Sequence, residues 1–519
     1  MNKFLNGLSN ATNYTYTENG ALAYKSTQSK LLDMFALGGA YRTRSEEDVI
    51  LLFKNAYEEN EAYALKCLFY LGDVRGGQGE RRFFRVCMKW LAKNHTETAR
   101  RNMRHIPEFR RWDDLYVLVG TPLEKEMFQF MKEQLALDVQ SKTPSLLAKW
   151  MKSENTSSPD SRALANKTRI VMGMSHKQYR KTLSILRERI NVLERLMSAG
   201  KWDEIEFDKI PSRAGMIYKN AFARHDIERA KSEKNVQTYS DFAKDTTKKV
   251  NAKVLYPYEC VSEAMKVMRA NSWWYSDSNI ALDDTNRLMV NKYWDNLADY
   301  FKGATFNGMA IVDTSGSMCG STASAPINVA ISLGMYCAEK AKGPFAGHFM
   351  TFSNSPTFVK VEGVDFCDKV KRMGQANWGM NTNIEAAFDL MLYTALRNKC
   401  TQDEIPKSLI IISDMEFDRC AACGPCGNDS YYDTPNRVHD KATLMERIRR
   451  RWENAGYEMP VLTFWNCQAR QNNIPMRAEH GINFVSGMSP AIFEQVMQGK
   501  DAYELMMDKL NTKRYEVIG

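Results

Sequence analysis

No stretch of this 519-residue chain stays apolar for the roughly 18 residues that a membrane-spanning helix needs, so no membrane partner is expected. Its start, Met1-Asn-Lys-Phe-Leu-Asn-Gly-Leu-Ser9, lacks a long apolar core followed by a small-residue cleavage site, and a cytoplasmic location is the expectation. The Asn-x-Ser/Thr triplets at Asn10 and Asn13 are then chance matches. Cysteine is present in an odd number, 11, scattered along the chain, which fits reduced thiols rather than a disulfide framework. The 7 histidines are dispersed, and no Ser-His-Asp or Cys-His arrangement can be assembled from them. Helical periodicity is abundant, but no strict repeat period accompanies it.

The chain does contain enough apolar residue, 44% against 26% charged, for a globular protein of two or more domains. Its charge of +9 is unevenly spread. Residues 1–300 hold 48 Lys and Arg against 38 Asp and Glu, whereas residues 301–519 hold 23 against 24. A one-sided basic domain suggests a polyanion partner, most often nucleic acid, with a solvated helical surface as the plain alternative.

After a polar N-terminal segment, residues 1–40, helical spacing dominates to about residue 240. Ser45-Glu-Glu-Asp-Val49 begins a helix with a capping hydroxyl and first-turn acids. Further helices are predicted over 60–71, 80–94, 122–137, 144–152, 176–199 and 212–223, as in an all-α array of stacked helix pairs. The glycine-rich Leu71-Gly-Asp-Val-Arg-Gly-Gly-Gln-Gly-Glu-Arg81 lacks the Gly-Lys-Ser/Thr of a phosphate loop and reads as a helix–helix turn. In Arg110-Arg-Trp-Asp-Asp-Leu-Tyr116 an aspartate is expected to cap a helix above Trp112, in preference to a catalytic carboxylate pair. From Ala163 to Arg195, Lys167, Arg169, His176, Lys177, Arg180, Lys181, Arg187 and Arg189 interleave with Leu183, Leu186, Ile190 and Leu193 at helical spacing. Burying that apolar stripe leaves a basic outer face, suited to phosphate contacts with little sequence preference. Trp112, Trp273 and Trp274 are candidate stacking platforms, although burial is the commoner fate of Trp.

Beyond residue 300 strands alternate with helices. Strands are predicted over 309–312, 347–352, 408–413, 460–465 and 482–486, and helices over 325–341, 383–397, 440–454, 489–498 and 500–511. Such alternation implies a parallel sheet covered on both faces, with a ligand site beyond the strand C-termini. In Gly308-Met-Ala-Ile-Val-Asp-Thr-Ser-Gly-Ser-Met318 an apolar run breaks into Asp313, Ser315 and Ser317. Thr382 precedes a predicted helix, and Asp414 ends the apolar run Ser408-Leu-Ile-Ile-Ile-Ser413. Two carboxylates among hydroxyls suit a hard divalent cation, Mg2+ above all. Cys420, Cys423 and Cys426, in a polar insert over 418–436, have the spacing of zinc ligands, with Cys319, His439 or Cys467 as a conceivable fourth; unliganded thiols and redox chemistry are the other readings.

Several of these stretches together resemble a known family. Asp73-Val-Arg-Gly-Gly-Gln-Gly-Glu-Arg81, Arg111-Trp-Asp-Asp114, Gly173-Met-Ser-His-Lys177, Lys201-Trp-Asp-Glu204, Ile210-Pro-Ser212 and Ala221-Phe-Ala-Arg-His-Asp226 follow the wording of the TROVE module of Ro RNA-binding proteins. A Ro-like branch found in plants, viruses and bacteria shares that wording. The Asp313, Thr382 and Asp414 segments resemble the metal-ion-dependent adhesion site (MIDAS) of a von Willebrand factor A domain, though Gly-Met-Asn-Thr382 and Ser-Asp414-Met depart from its usual spelling.

The resemblance implies a multidomain chain: a HEAT-like helical-repeat ring over 41–303, then an α/β von Willebrand factor A domain over 304–519. It implies a monomeric ring that binds structured or misfolded noncoding RNA and is not an enzyme. Lys167, Arg169, His176, Lys177, Arg180 and Lys181 are the implied RNA-binding residues, although family basic positions read Val171 and Ser184 here. Asp313, Ser315, Ser317, Thr382 and Asp414 would hold Mg2+ and face a protein partner's carboxylate. Two other functions stay open, a protein-interaction scaffold without an RNA role and a metal-dependent RNA phosphodiesterase. The latter usually clusters carboxylates around two metals about 4 Å apart.

Overall fold

The structure is a computed structural model that describes residues 12–232, 236–268, 280–320, 322–353, 355–374, 381–419 and 442–519. Its contacts divide the chain into two units. One draws on Leu68–Leu255, Ala281–Asn296 and Lys513–Gly519; the other on Met1–Cys67, Tyr256–Ile280 and Leu297–Thr512.

The first unit is helical, with no strand among its described residues. Its helices include Arg81–Asn94, Glu124–Gln140, Pro159–Met172, His176–Arg189, Ser212–Arg224 and Thr285–Asp295. Local chemistry sets the ends of the two that form the basic stretch. Ser158 caps Pro159–Met172 ahead of a proline at the first helical position, and Gly173, at φ 70°, ends it in the left-handed region. Two residues on, Ser175 and Gln178 form a capping box that starts His176–Arg189. The helix expected over 176–199 breaks after Arg189, where Asn191 takes φ 49°, and resumes at Leu193–Ser198.

The glycine-rich turn joins Glu61–Gly72 to Arg81–Asn94, and its glycines serve close packing. A Cβ on Gly77 would lie 1.9 Å from the Tyr70 carbonyl oxygen. Asp73, fully buried, accepts from Arg514 Nη2 at 2.8 Å and from the Tyr515 hydroxyl at 3.1 Å, so the turn is a dock for the C-terminal segment.

In the second unit β3 (Gly308–Asp313), β4 (His348–Phe352), β5 (Phe358–Lys360), β6 (Ser408–Ser413), β7 (Val461–Asn466) and β8 (Ile482–Ser486) form one sheet in the order β5-β4-β3-β6-β7-β8. All neighbouring pairs are parallel except β4 with β5, an antiparallel edge strand that the sequence reading lacked. Every residue of β3 is buried, as expected when helices cover both faces. Pro326–Lys340 packs on β3 and β4 so closely that a Cβ on Gly334 would lie 2.7 Å from Val312 Cγ2.

The division by contacts differs from the expected boundaries at several places: residues 12–67, 256–268 and 297–303 fall with the sheet, and Lys513–Gly519 with the helices. Residues 12–67 pack with the sheet, not with the helical array, and they are ordered into elements rather than forming a polar leader. β1 (Tyr14–Tyr16) and β2 (Leu22–Tyr24) make an antiparallel hairpin, and the buried helix Lys30–Leu37 packs against β8. The reason is apolar content: Leu31, Leu32, Met34, Phe35 and Leu37 are all at most 2% exposed.

Candidate metal centre and basic helical face

Two adjacent central strands, β3 and β6, end side by side and deliver the carboxylates. Asp313 is the last residue of β3 and Asp414 follows the last residue of β6. Both are buried, at 0% and 1% exposure. Ser413 Oγ donates to Asp313 Oδ2 at 2.5 Å, and the Ser315 amide donates to Asp313 Oδ1 at 2.9 Å. Ser315 Oγ and Ser317 Oγ lie 2.9 Å apart in one hydrogen bond, and the Ser317 hydroxyl also reaches Asp414. Thr382 is buried just before Ile384–Asn398, its amide donating to Asp418 Oδ2 at 3.0 Å.

Electrostatics shows what this arrangement lacks. Burial, and then the charge of Asp414, pushes the Asp313 carboxyl up to about 7. Burial raises Asp414 as well, and burial pushes Glu416 up to about 7. Among the described residues the cation that faces them is Arg470: its Nε lies 3.6 Å from Asp414 Oδ2, and its Nη2 donates to the Ser317 carbonyl. Asp414 Oδ2 is buried and accepts no hydrogen bond. A buried carboxylate oxygen that accepts no hydrogen bond, beside two hydroxyls and a second acid, is a donor set that fits a hard divalent cation. Among the described residues no group of three or more His, Cys, Asp and Glu side chains is arranged for a metal ion, so a cation here depends on the hydroxyls.

Five residues around this site carry no motif. Besides Arg470 they are Glu416, Asn473 and the Glu18-Asn19 pair of the β1–β2 turn. Asn473 Nδ2 donates to Glu416 Oε1 at 2.9 Å, and the Glu18 amide donates to Glu416 Oε2 at 2.6 Å. The available signal was Asn19-Gly20 between Tyr14-Thr-Tyr16 and Leu22-Ala-Tyr24, a hairpin turn pair; Gly20 takes φ 84°. Cys420, Cys423, Cys426 and His439 lie outside the described residues. Cys319 and Cys467 donate their thiols to the carbonyls of Ser315 and Ser413.

On the helical unit the predicted basic residues separate into two groups. Lys167 is paired with Glu124 at 2.6 Å. Arg169 braces the Gly173 turn, meeting Glu154 at 3.1 Å and donating to the Met174 carbonyl at 2.9 Å; His176 Nδ1 shares Glu154 at 2.7 Å. Lys177, Arg180 and Lys181 are exposed and have no ion pair among the described residues. Their helix buries Tyr179, Leu183 and Leu186 on its other side.

Asp113 and Asp114 do not cap a helix. They lie buried in the short helix Trp112–Leu118, which has no side-chain cap, and collect Arg81, Arg85, Arg110, Arg111 and Lys152. Burial opposes the Asp113 carboxylate, yet Arg111 and Arg81 outweigh it and hold it at about 2. Trp112 is 9% exposed and packs on Phe130, so it offers no stacking platform; Trp273 and Trp274 lie outside the described residues. Trp202 and His225, from two of the quoted motifs, stack on each other at 3.8 Å.

A family model described as domain of unknown function DUF2828 matches residues 17–171 and 138–304, together more than half of the chain. The chain belongs to this family. The DUF2828 match begins at Thr17, at the turn that carries Glu18 and Asn19. A second model, domain of unknown function DUF7788, matches residues 307–516, which hold all three acid and hydroxyl segments. The chain is 31% identical over 535 residues to the uncharacterized protein L728 of Acanthamoeba polyphaga mimivirus, covering 95% of this chain and 86% of that protein. It is also similar, at 13% identity and a TM-score of 0.46, to the crystal structure of the Deinococcus radiodurans RO (RSR) protein, covering 91% of this chain and 100% of that one. Among the described residues no helix is long and apolar enough to cross a membrane.

Proposed function

We propose that this chain is a cytoplasmic RNA-binding protein of Ro type. Its helical unit, the HEAT-like repeats of a monomeric ring, holds structured or misfolded noncoding RNA by the phosphate backbone. Its α/β unit is a von Willebrand factor A domain whose metal site serves a protein partner or ring closure. The observation that carries the RNA reading is the unspent charge of Lys177, Arg180 and Lys181 on the exposed side of a helix anchored by Tyr179, Leu183 and Leu186. Such cations displace the counterions of a phosphate chain, which gives affinity without reading sequence.

The metal reading is supported by the buried Asp414 Oδ2, which among the described residues accepts no hydrogen bond and has the Arg470 guanidinium 3.6 Å away. Asp313, Ser315, Ser317, Thr382 and Asp414 would hold Mg2+, and the bound ion would supply a point charge able to take a carboxylate. Hydrolysis of RNA is disfavoured by the same geometry. The donor set is rich in hydroxyls and takes two acids, Asp313 and Asp414, where two-metal phosphodiester cleavage uses a larger carboxylate cluster.

Crosslinking in cells followed by sequencing of the attached RNA tests the function. Recovery of structured noncoding RNA is the expected result, and recovery no greater than from an uncrosslinked control contradicts it. Mg2+-dependent RNA cleavage that Asp313→Ala abolishes would replace binding with catalysis.

A further inference from the structure

The hairpin turn between β1 and β2 is bound to the metal-site segments by side-chain and main-chain groups of three successive residues, Thr17, Glu18 and Asn19. Thr17 Oγ1 donates to the Phe417 carbonyl at 2.7 Å, and the Glu18 amide donates to Glu416 Oε2 at 2.6 Å. Asn19 Nδ2 donates both to the Glu416 carbonyl, at 2.6 Å, and to Thr382 Oγ1, at 3.2 Å. Gly20 forms a β-bridge with Asp418, and the Arg419 amide donates to the Asn19 carbonyl at 3.2 Å. One side-chain amide therefore joins the threonine segment to the second aspartate segment. Glu18 completes the arrangement on the other side: its Oε2 pairs at 3.1 Å with Arg470 Nη1, the guanidinium that also faces Asp414 Oδ2 and the Ser317 carbonyl.

Glu18 and Asn19 are themselves exposed, so core burial does not explain their positions. A carboxylate beside a hydroxyl-rich cation site, as Glu18 supplies, is the group an acidic partner would bring. Here the chain brings its own.

We infer that the Thr17-Glu18-Asn19-Gly20 turn is a fourth segment of the metal site, covering its outer side in cis. An external carboxylate then reaches the cation only after Glu18 leaves Arg470 and Asn19 leaves Thr382. This inference rests on the metal reading proposed above.

The test uses the full chain with Mn2+ as the probe, following binding by calorimetry and coordinated water by proton relaxation, with acetate as the competing carboxylate. The double variant Glu18→Ala, Asn19→Ala is expected to bind Mn2+ within about twofold of the parent, because the ligands proposed above are untouched. Its relaxation enhancement should exceed the parent's, and acetate should lower it at concentrations that leave the parent unchanged. A loss of Mn2+ affinity of about tenfold or more in the double variant, with an unaltered circular dichroism spectrum, equally supports the assignment, since the turn then holds the ion directly. Equal enhancement, equal affinity and an equal acetate response in the two proteins overturn it. Mn2+ binding by neither protein overturns the metal reading itself, and the inference falls with it. Should the double variant misfold, Glu18→Gln, which keeps the size of the side chain, carries the acetate comparison.

Discussion

Between pH 5.5 and pH 7.5 the affinity for Mg2+ is expected to rise by about 25-fold. The ion needs the Asp313 carboxylate, and burial together with Asp414 pushes that group from its ordinary 3.8 up to about 7. With one proton to displace, the competent fraction is about 3% at pH 5.5 and about 75% at pH 7.5. The sign for stability follows from the same shift. A folded value above the unfolded one means that the native chain holds the proton more tightly, so without the ion stability falls as pH rises from about 4 to about 7 and levels off beyond. A shift of that size is worth about 4 kcal/mol, and Mg2+ is expected to restore part of it at pH 7.5 and little at pH 5.5. Isothermal calorimetry at the two pH values, with thermal unfolding in the presence and absence of Mg2+, measures both. Asp414→Ala should keep the fold and lose the Mg2+ response. The same Mg2+ affinity at pH 5.5 and pH 7.5 would refute the reasoning, because it would mean that no buried proton leaves when the ion arrives.

Two further predictions concern the helical unit. Arg110→Ala removes the fully buried partner of Asp114, met at 3.1 Å, and the donor to the Gly72 and Glu80 carbonyls, while Arg81 and Arg85 stay on Asp114; it should cost about 1–3 kcal/mol in urea denaturation, and a loss under about 1 kcal/mol would mean that the other arginines suffice. Gly77→Ala forces a methyl against the Tyr70 carbonyl and should cost about 1–3 kcal/mol by the same assay, whereas a phosphate-cradle role would leave stability unchanged.

The sheet was legible because its strands are apolar runs cut off by polar turns. Ile410, Ile411 and Ile412 can be buried on both faces only in a covered parallel strand, and the strands expected over 408–413 and 482–486 have those bounds. The edge strand β5 was not, since Phe358-Val-Lys360 is three residues long and buries only Val359. The acids and hydroxyls of the candidate site were legible because each sits where an element starts or stops. Arg470, Glu416 and Asn473 were not, because they act through side-chain contacts that pair distant positions, Glu18 with Arg470 and Asn473 with Glu416. Spacing along the chain carries no trace of such pairs. The basic stretch shows the converse: the sequence displays Lys167, Arg169 and His176 as free charge, and only the fold reveals that Glu124 and Glu154 occupy them.

The central claim is that Lys177, Arg180 and Lys181, exposed on the helix His176–Arg189 and without an ion pair among the described residues, hold RNA. A filter-binding titration of one structured RNA across a range of salt, comparing the parent chain with the triple variant Lys177→Glu, Arg180→Glu, Lys181→Glu, tests it most directly. Three lost phosphate contacts should lower the slope of log affinity against log salt by roughly 2 to 2.7, with the greatest weakening at low salt. An unchanged slope and affinity in the triple variant would contradict the account.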